Sequence, residues 1–190
     1  MNKLSDRSRY TGMRQQQGAV LVFCLVFLAV LTMMGVSGME STTLEERMSG
    51  NMRDHELAFN AAESALQVGE AWLILQNTLP ITSTDGSTAV WAESAMDPDA
   101  ADGLYWWDHA NINAAWWNAN ADSIANVAQV AAQPAYVIEQ YRTVDTGQSI
   151  ALGGGETTVP RIFHRITARG VGINTNARAV VQATFVQSYD

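Results

Sequence analysis

The chain has 190 residues, with 19 acidic against 11 basic side chains and a formal net charge of −8. Outside the first 18 residues the only cations are seven arginines, and none lies between Asp54 and Tyr141. Nucleic-acid affinity comes mainly from clustered Lys and Arg, so this balance argues against DNA or RNA as a partner.

Residues 1–18 form a short basic leader, with Lys3, Arg7, Arg9 and Arg14 against Asp6, that ends in three glutamines and Gly18. An uncharged run follows from Gly18 to Met39, GAVLVFCLVFLAVLTMMGVSGM. As a helix it spans roughly 33 Å at about 1.5 Å per residue, enough to cross a hydrocarbon core of about 30 Å. A secretory signal would have a shorter apolar core closed by a small-x-small cleavage site. Here the run leads directly into more helix-forming sequence carrying Glu40, Glu45 and Glu46. The positive-inside rule keeps the leader cytoplasmic and sends the remainder outward. The only cysteine, Cys24, lies within the run and reads as a small apolar membrane residue. An exported part without cysteine has no intramolecular disulfide and must be held by packing.

Steps of three and four continue past the membrane segment through Leu44, Met48, Met52, His55, Phe59, Ala62, Leu66, Gly69 and Leu73. This period predicts one helix from about Ala19 to Leu79, stopped by Pro80, whose second half lays that stripe against a folded head. The domain plan is therefore a leader over 1–18, a transmembrane helix over 19–39, the outer half of the helix over 40–79 and a globular head over 80–190.

Residues Ile81 to Gln133 mix turn formers with Trp and Ala and lack a clear period, which predicts loops and short helices. Trp106-Trp107 and Trp116-Trp117 recur ten residues apart, beside Tyr105 and Trp91. Such rings either close a core beneath a loop-rich region or form a partner surface. Asp97, Asp99 and Asp102, and separately Asn118, Asn120 and Asp122, are spaced like fragments of a calcium loop. Both lack the later glycine and bidentate glutamate. Strands are predicted over Ala135–Arg142, Arg161–Val171 and Ala177–Gln187, the last two joined as a hairpin through Gly170–Asn176, with a long loop over Asp145–Pro160. On the second of these, period-two alternation puts Ile162, His164, Ile166 and Ala168 on one face and Arg161, Phe163, Arg165, Thr167 and Arg169 on the other. Arg161, Arg165 and Arg169 are then either a solvated sheet face or a docking stripe for an acidic partner. His55, His109 and His164 are far apart, and no metal-ligand, nucleophile or phosphate-loop pattern is present, so neither an enzyme nor a bound cofactor is expected. His55 falls on the stripe and is expected to be packed or bonded to a partner.

The leader, Gly18 and the long apolar helix resemble type IV prepilins and the pseudopilins of type II secretion. The segment from Gly18 through GVSGMESTTLEERMSGNMRDHELAFNAAESAL resembles, more narrowly, the N-terminal region of the PilX family of minor pilins, and PAYVIEQY and RIFHRITARGVG resemble its C-terminal sheet. The resemblance implies an α+β, pilin-like fold: a long N-terminal transmembrane helix packed on an antiparallel sheet. It implies cleavage by a prepilin peptidase between Gly18 and Ala19, methylation of the Ala19 amine, anchoring in the bacterial inner membrane with a periplasmic head, and a place at the pilus tip. It also implies partners: other minor pilins, the major pilin and a large tip adhesin, in support of piliation and twitching motility. Phe23 stands where major pilins carry a glutamate that neutralises a neighbouring amine inside the filament. An unpaired buried charge is costly, so a subunit lacking the acid suits a position where the pairing is not required. Two alternatives remain: a tip pseudopilin of type II secretion, and a membrane-anchored module whose aromatic segment binds glycan or a host surface.

Overall fold

A computed structural model describes residues 17–144 and 160–189. Helix α1 runs Gln17–Ile74. The chain divides into two compact units, Met1–Met48 and Ser49–Asp190. In the first unit every described side chain from Gly18 to Met48 is exposed. By length and composition this helix can cross a membrane. Thr32, within the apolar run, donates to the carbonyls of Leu28 and Ala29 at 3.0 and 2.8 Å, and beyond the run Thr42 donates to Gly38 at 3.1 Å and Thr43 to Met39 at 2.9 Å. For Thr32 such internal bonding matters because a hydrocarbon environment would offer no water in its place.

In the second unit the helix ends at Ile74, five residues before the predicted Leu79, so Pro80 is not what stops it. The last turn tightens through bonds from Leu75 N to Trp72 O and from Gln76 N to Leu73 O, at 3.2 and 3.0 Å. Gln76 Nε2 and Gln187 Nε2 then satisfy the carbonyls of Trp72 and Gln76. Orphan carbonyls at a helix end require such partners.

Six strands follow: β1 (Thr82–Ser83), β2 (Val90–Trp91), β3 (Asp122–Ser123), β4 (Ala135–Val144), β5 (Arg161–Val171) and β6 (Arg178–Ser188), with a short helix α2 (Ala114–Asn120) before β3. The order is β1-β2-β4-β5-β6, with β3 also on β4. β4, β5 and β6 are antiparallel, as the resemblance implied, whereas β1 to β2 and β2 to β4 are parallel. The class is α+β, but the sheet is mixed rather than purely antiparallel. The predicted loop over Asp145–Pro160 and the leader fall almost wholly outside the described residues. The hairpin turn between β5 and β6 closes with Gly172 N on Ala177 O at 2.8 Å and Ala177 N on Asn174 O at 3.0 Å.

The inner sheet face carries Ile162, His164, Ile166 and Ala168, all buried, as their alternation predicted. Leu73, Val90, Tyr136, Ile138, Ile166 and Ala168 form one core with Ala65 of the helix. Each fully buried Leu, Ile or Val contributes roughly 1.5–3 kcal/mol. The helical stripe itself differs from the predicted one. Ala62, Gly69 and Leu73 are buried and Leu66 is partly so, but Met52 and His55 are exposed and Phe59 is 45% exposed. Ala58, Ala61 and Ala65 take the sheet side instead. The reason is the closeness of approach. A Cβ added to Gly170 would lie 2.0 Å from Ala58 O and 2.5 Å from Ala62 N, so helix backbone and strand backbone meet with nothing between them. Large side chains at Phe59 or His55 have no space there and turn away.

Asp54 fastens the top of this seam. Its carboxylate accepts from the backbone N–H groups of Ile173 and Asn174 in the hairpin turn, the latter at 3.1 Å. A side chain at position 172 would collide with it, which explains Gly172.

Candidate functional site

The opposite face of the sheet is covered by the tryptophan-rich segment over the first half of β4, whereas β6 carries no buried residue. Trp91, Met96, Trp106, Ile112 and Trp117 pack on Ala135 and Val137 as a second core. Asn113 starts α2: its Oδ1 accepts from Ala115 N and Trp116 N at 2.9 and 3.2 Å. Side-chain capping of this kind satisfies helix N–H groups that have no intrahelical partner. Each tryptophan pair is then split by the backbone. Trp106 and Trp117 point inward, their rings 5.6 Å apart and stacked, while Trp107 and Trp116 are only partly buried. Trp106 and Trp117 belong to the core, and Trp107 and Trp116 pack against it partly buried, Trp107 also stacking on exposed Tyr105 at 4.7 Å.

The three arginines of β5 share the outer face but not one environment. Arg165 donates through Nε and Nη2 to Glu139 Oε2 at 2.9 and 2.6 Å, and Glu139 is 1% exposed. Glu139 Oε1 accepts from Ser94 N at 2.6 Å, tying the loop after β2 to the sheet. Arg165 also lies 4.6 Å from the centre of the Tyr141 ring, the residue displaced by the irregularity in β4. Arg165 is therefore committed to its own fold and is not part of a row of free cations. Arg161 is exposed. Arg169 lies 5.7 Å from the centre of the Trp117 ring. Burial first, and the neighbouring Arg178 charge second, press its pKa below the ordinary arginine value.

Arg169 and Arg178 line a groove of about 620 Å³ together with Trp107, Asp108, Trp117 and Val180. Of the predicted candidates it brings together Trp107, Trp117 and Arg169; Arg161, Arg165, Trp106 and Trp116 do not line it. Glu139 and Arg178 were not singled out by the sequence. Glu139 interrupts the apolar stretch of β4, a usable signal, whereas Arg178 acquires meaning only through its position beside β5.

The histidines are dispersed. His55 is exposed, contrary to the packed position predicted for it. His109 sits between Asp97 and Asp102, with Nε2 3.5 Å from Asp97 Oδ1 and Nδ1 3.7 Å from Asp102 Oδ2. His164 is fully buried, its ring edge-on to Tyr189 at 5.9 Å, and neither ring nitrogen finds a hydrogen-bond partner among the described residues. Burial lowers its pKa to about 4. Asp97, Asp99 and Asp102 each turn a carboxylate onto a backbone N–H two residues on, at 3.1, 3.1 and 2.8 Å, so their spacing serves turns. Asn120 Nδ2 donates to Trp116 O at 2.8 Å. Among the described residues no group of three or more His, Cys, Asp or Glu side chains is placed to hold a metal.

Gly18 lies in the first turn of α1 with open space about it, and Phe23 is 75% exposed on the apolar helix. A membrane-length helix followed by an α+β head with a mixed sheet is a pilin-like fold. The family model described as PilX N-terminal matches residues 17–67, and that described as Type IV pilus assembly protein PilX C-term matches residues 61–187. The chain belongs to the PilX family of type IV pilus assembly proteins. No curated protein and no solved structure matches it. Membership implies a part in type IV pilus assembly and contact with other pilus components; this is a structural pilin family and not a known enzyme family.

Proposed function

We propose that this chain is a minor pilin that helps initiate type IV pilus assembly from within a tip complex, and so supports piliation and twitching motility. Residues 19–39 anchor it in the inner membrane before assembly, with the head periplasmic. A prepilin peptidase removes residues 1–18 and the Ala19 amine is methylated. Its partners are other minor pilins, the major pilin and a large tip adhesin.

The observation that carries the tip reading is Phe23. A carboxylate at that position would have to be neutralised inside an apolar bundle, and a phenyl ring makes no such demand. The same ring offers nothing to a neighbouring amine, which disfavours repeated use along a shaft. Deletion of the gene should sharply reduce surface pili and twitching, restored by the wild-type copy. Sheared pili should contain far less of this chain than of the major pilin; comparable amounts by quantitative mass spectrometry would sink the tip assignment.

A further inference from the structure

The groove between the tryptophan-rich layer and the outer edge of the sheet holds two cations without a carboxylate partner among the described residues. Arg169 stands opposite Val180 and Arg178 opposite Val171 in the β5–β6 register, so both guanidinium groups leave the same face on adjacent strands. Neither forms an ion pair there: the only arginine-carboxylate bridge among the described residues is Arg165 with Glu139. Asp108 also lines the groove yet pairs with neither. Like charges placed this way repel, and partial burial strengthens the repulsion because less water screens it. A chain with a net charge of −8 has carboxylates to spare, yet among the described residues these two cations have no carboxylate partner.

Arg169 is held in position, whereas Arg178 is exposed. Arg169 is fixed above the buried Trp117 ring, a cation–π arrangement that keeps the guanidinium at the groove while leaving its N–H fork available. Val180 lies beside both arginines on the same sheet face, and Trp107 adds an aromatic surface among lining residues that include the polar His109, Asn113 and Asn176. A volume of about 620 Å³ is in the range of specific ligand sites, roughly 300–1,000 Å³, and is far larger than a single inorganic anion requires. A polyanion would need a longer cationic track than two arginines flanked by Asp108.

We infer that this groove docks an acidic peptide segment of another pilus subunit, its Asp or Glu carboxylate received by Arg169 and Arg178 and its neighbouring apolar residue resting on Trp107 and Val180. Arginine forks match carboxylates in bidentate geometry, and a carboxylate here also relieves the repulsion between the two cations. This inference rests on the assembly role proposed above and specifies the chemistry of one contact within it.

The test uses the full-length chain in detergent and short peptides tiling the exported regions of the other pilus subunits, with binding read by fluorescence polarisation. Every acidic peptide is paired with a version in which Asp and Glu become Asn and Gln. At least one acidic peptide should bind, its amide version about tenfold more weakly, and the affinity should fall as salt rises. Arg178→Gln, at an exposed position, should lose a similar factor with an unchanged melting curve. The inference is overturned if no peptide binds, if amide versions bind as well as acidic ones, if a sulfated oligosaccharide binds in preference to every peptide, or if Arg178→Gln binds normally. The amide comparison uses the unmodified protein and stands even if a variant folds poorly. Should deletion abolish pili while no peptide responds, the groove assignment alone fails; should deletion leave pili intact, the assembly role itself fails.

Discussion

Single residues in the head carry opposite electrostatic solutions. Glu139 is buried and pairs with the part-exposed Arg165, so removing Arg165 leaves a buried carboxylate without compensation, a loss that for fully buried pairs is typically about 3–5 kcal/mol. His164 is buried with no hydrogen-bond partner among the described residues and remains neutral instead, which makes stability depend on pH. Its folded pKa of about 4 lies below the ordinary value of 6.5. Above 6.5 both folded and unfolded chains hold it neutral and its contribution is complete. As pH falls the unfolded chain takes up the proton first, so stability declines through the window from 6.5 to 4 by roughly 3 kcal/mol and then levels off. Urea denaturation midpoints measured across that window should show the decline, and His164→Leu should flatten it. An identical slope in the variant would assign the acid sensitivity to other groups.

At the scale of elements, the decisive feature is the seam between α1 and β5. Gly170→Ala places a methyl group against helix backbone at Ala58 and Ala62 and not against a side chain that can rotate away. Overpacking of this kind typically costs about 1–3 kcal/mol or more, and the absence of any flexible neighbour puts this case at the upper end. Gly50→Ala, with nothing within 4 Å of the added Cβ, should instead stabilise the helix by up to about 1 kcal/mol. Thermal unfolding of the two variants should therefore move in opposite directions. This seam also marks where the sequence was legible and where it was not. Alternation on β5 was readable because its inner and outer residues differ in character. The helical stripe was misplaced at Met52, His55 and Phe59 because bulky residues dominate a periodicity reading, whereas the face that meets a glycine on the strand has to be alanine. β1, β2 and β3 have two residues each, too few for any period to register. The groove was half legible: Trp107 and Arg169 stood out as types, but their meeting with Arg178 depends on long-range register that no local pattern encodes.

For the whole molecule, the proposed processing is the most direct check on the proposed anchoring. Mass spectrometry of membrane-extracted protein should find an N-methylated Ala19 terminus, and an intact Met1 or a cleavage after Gly38 would contradict the proposed maturation. Asp54 and the β5–β6 turn, finally, are joined across 119 and 120 positions of sequence. Contacts of such separation carry a loop-closure cost before they return any stabilisation, and they slow folding accordingly. Residues 49–74 enter the folded unit at its start, yet part of their cover comes from β5, about a hundred positions further on. During synthesis the alanine face at Ala58 and Ala62 waits uncovered until β5 has emerged, so this seam cannot mature progressively from its N-terminal side.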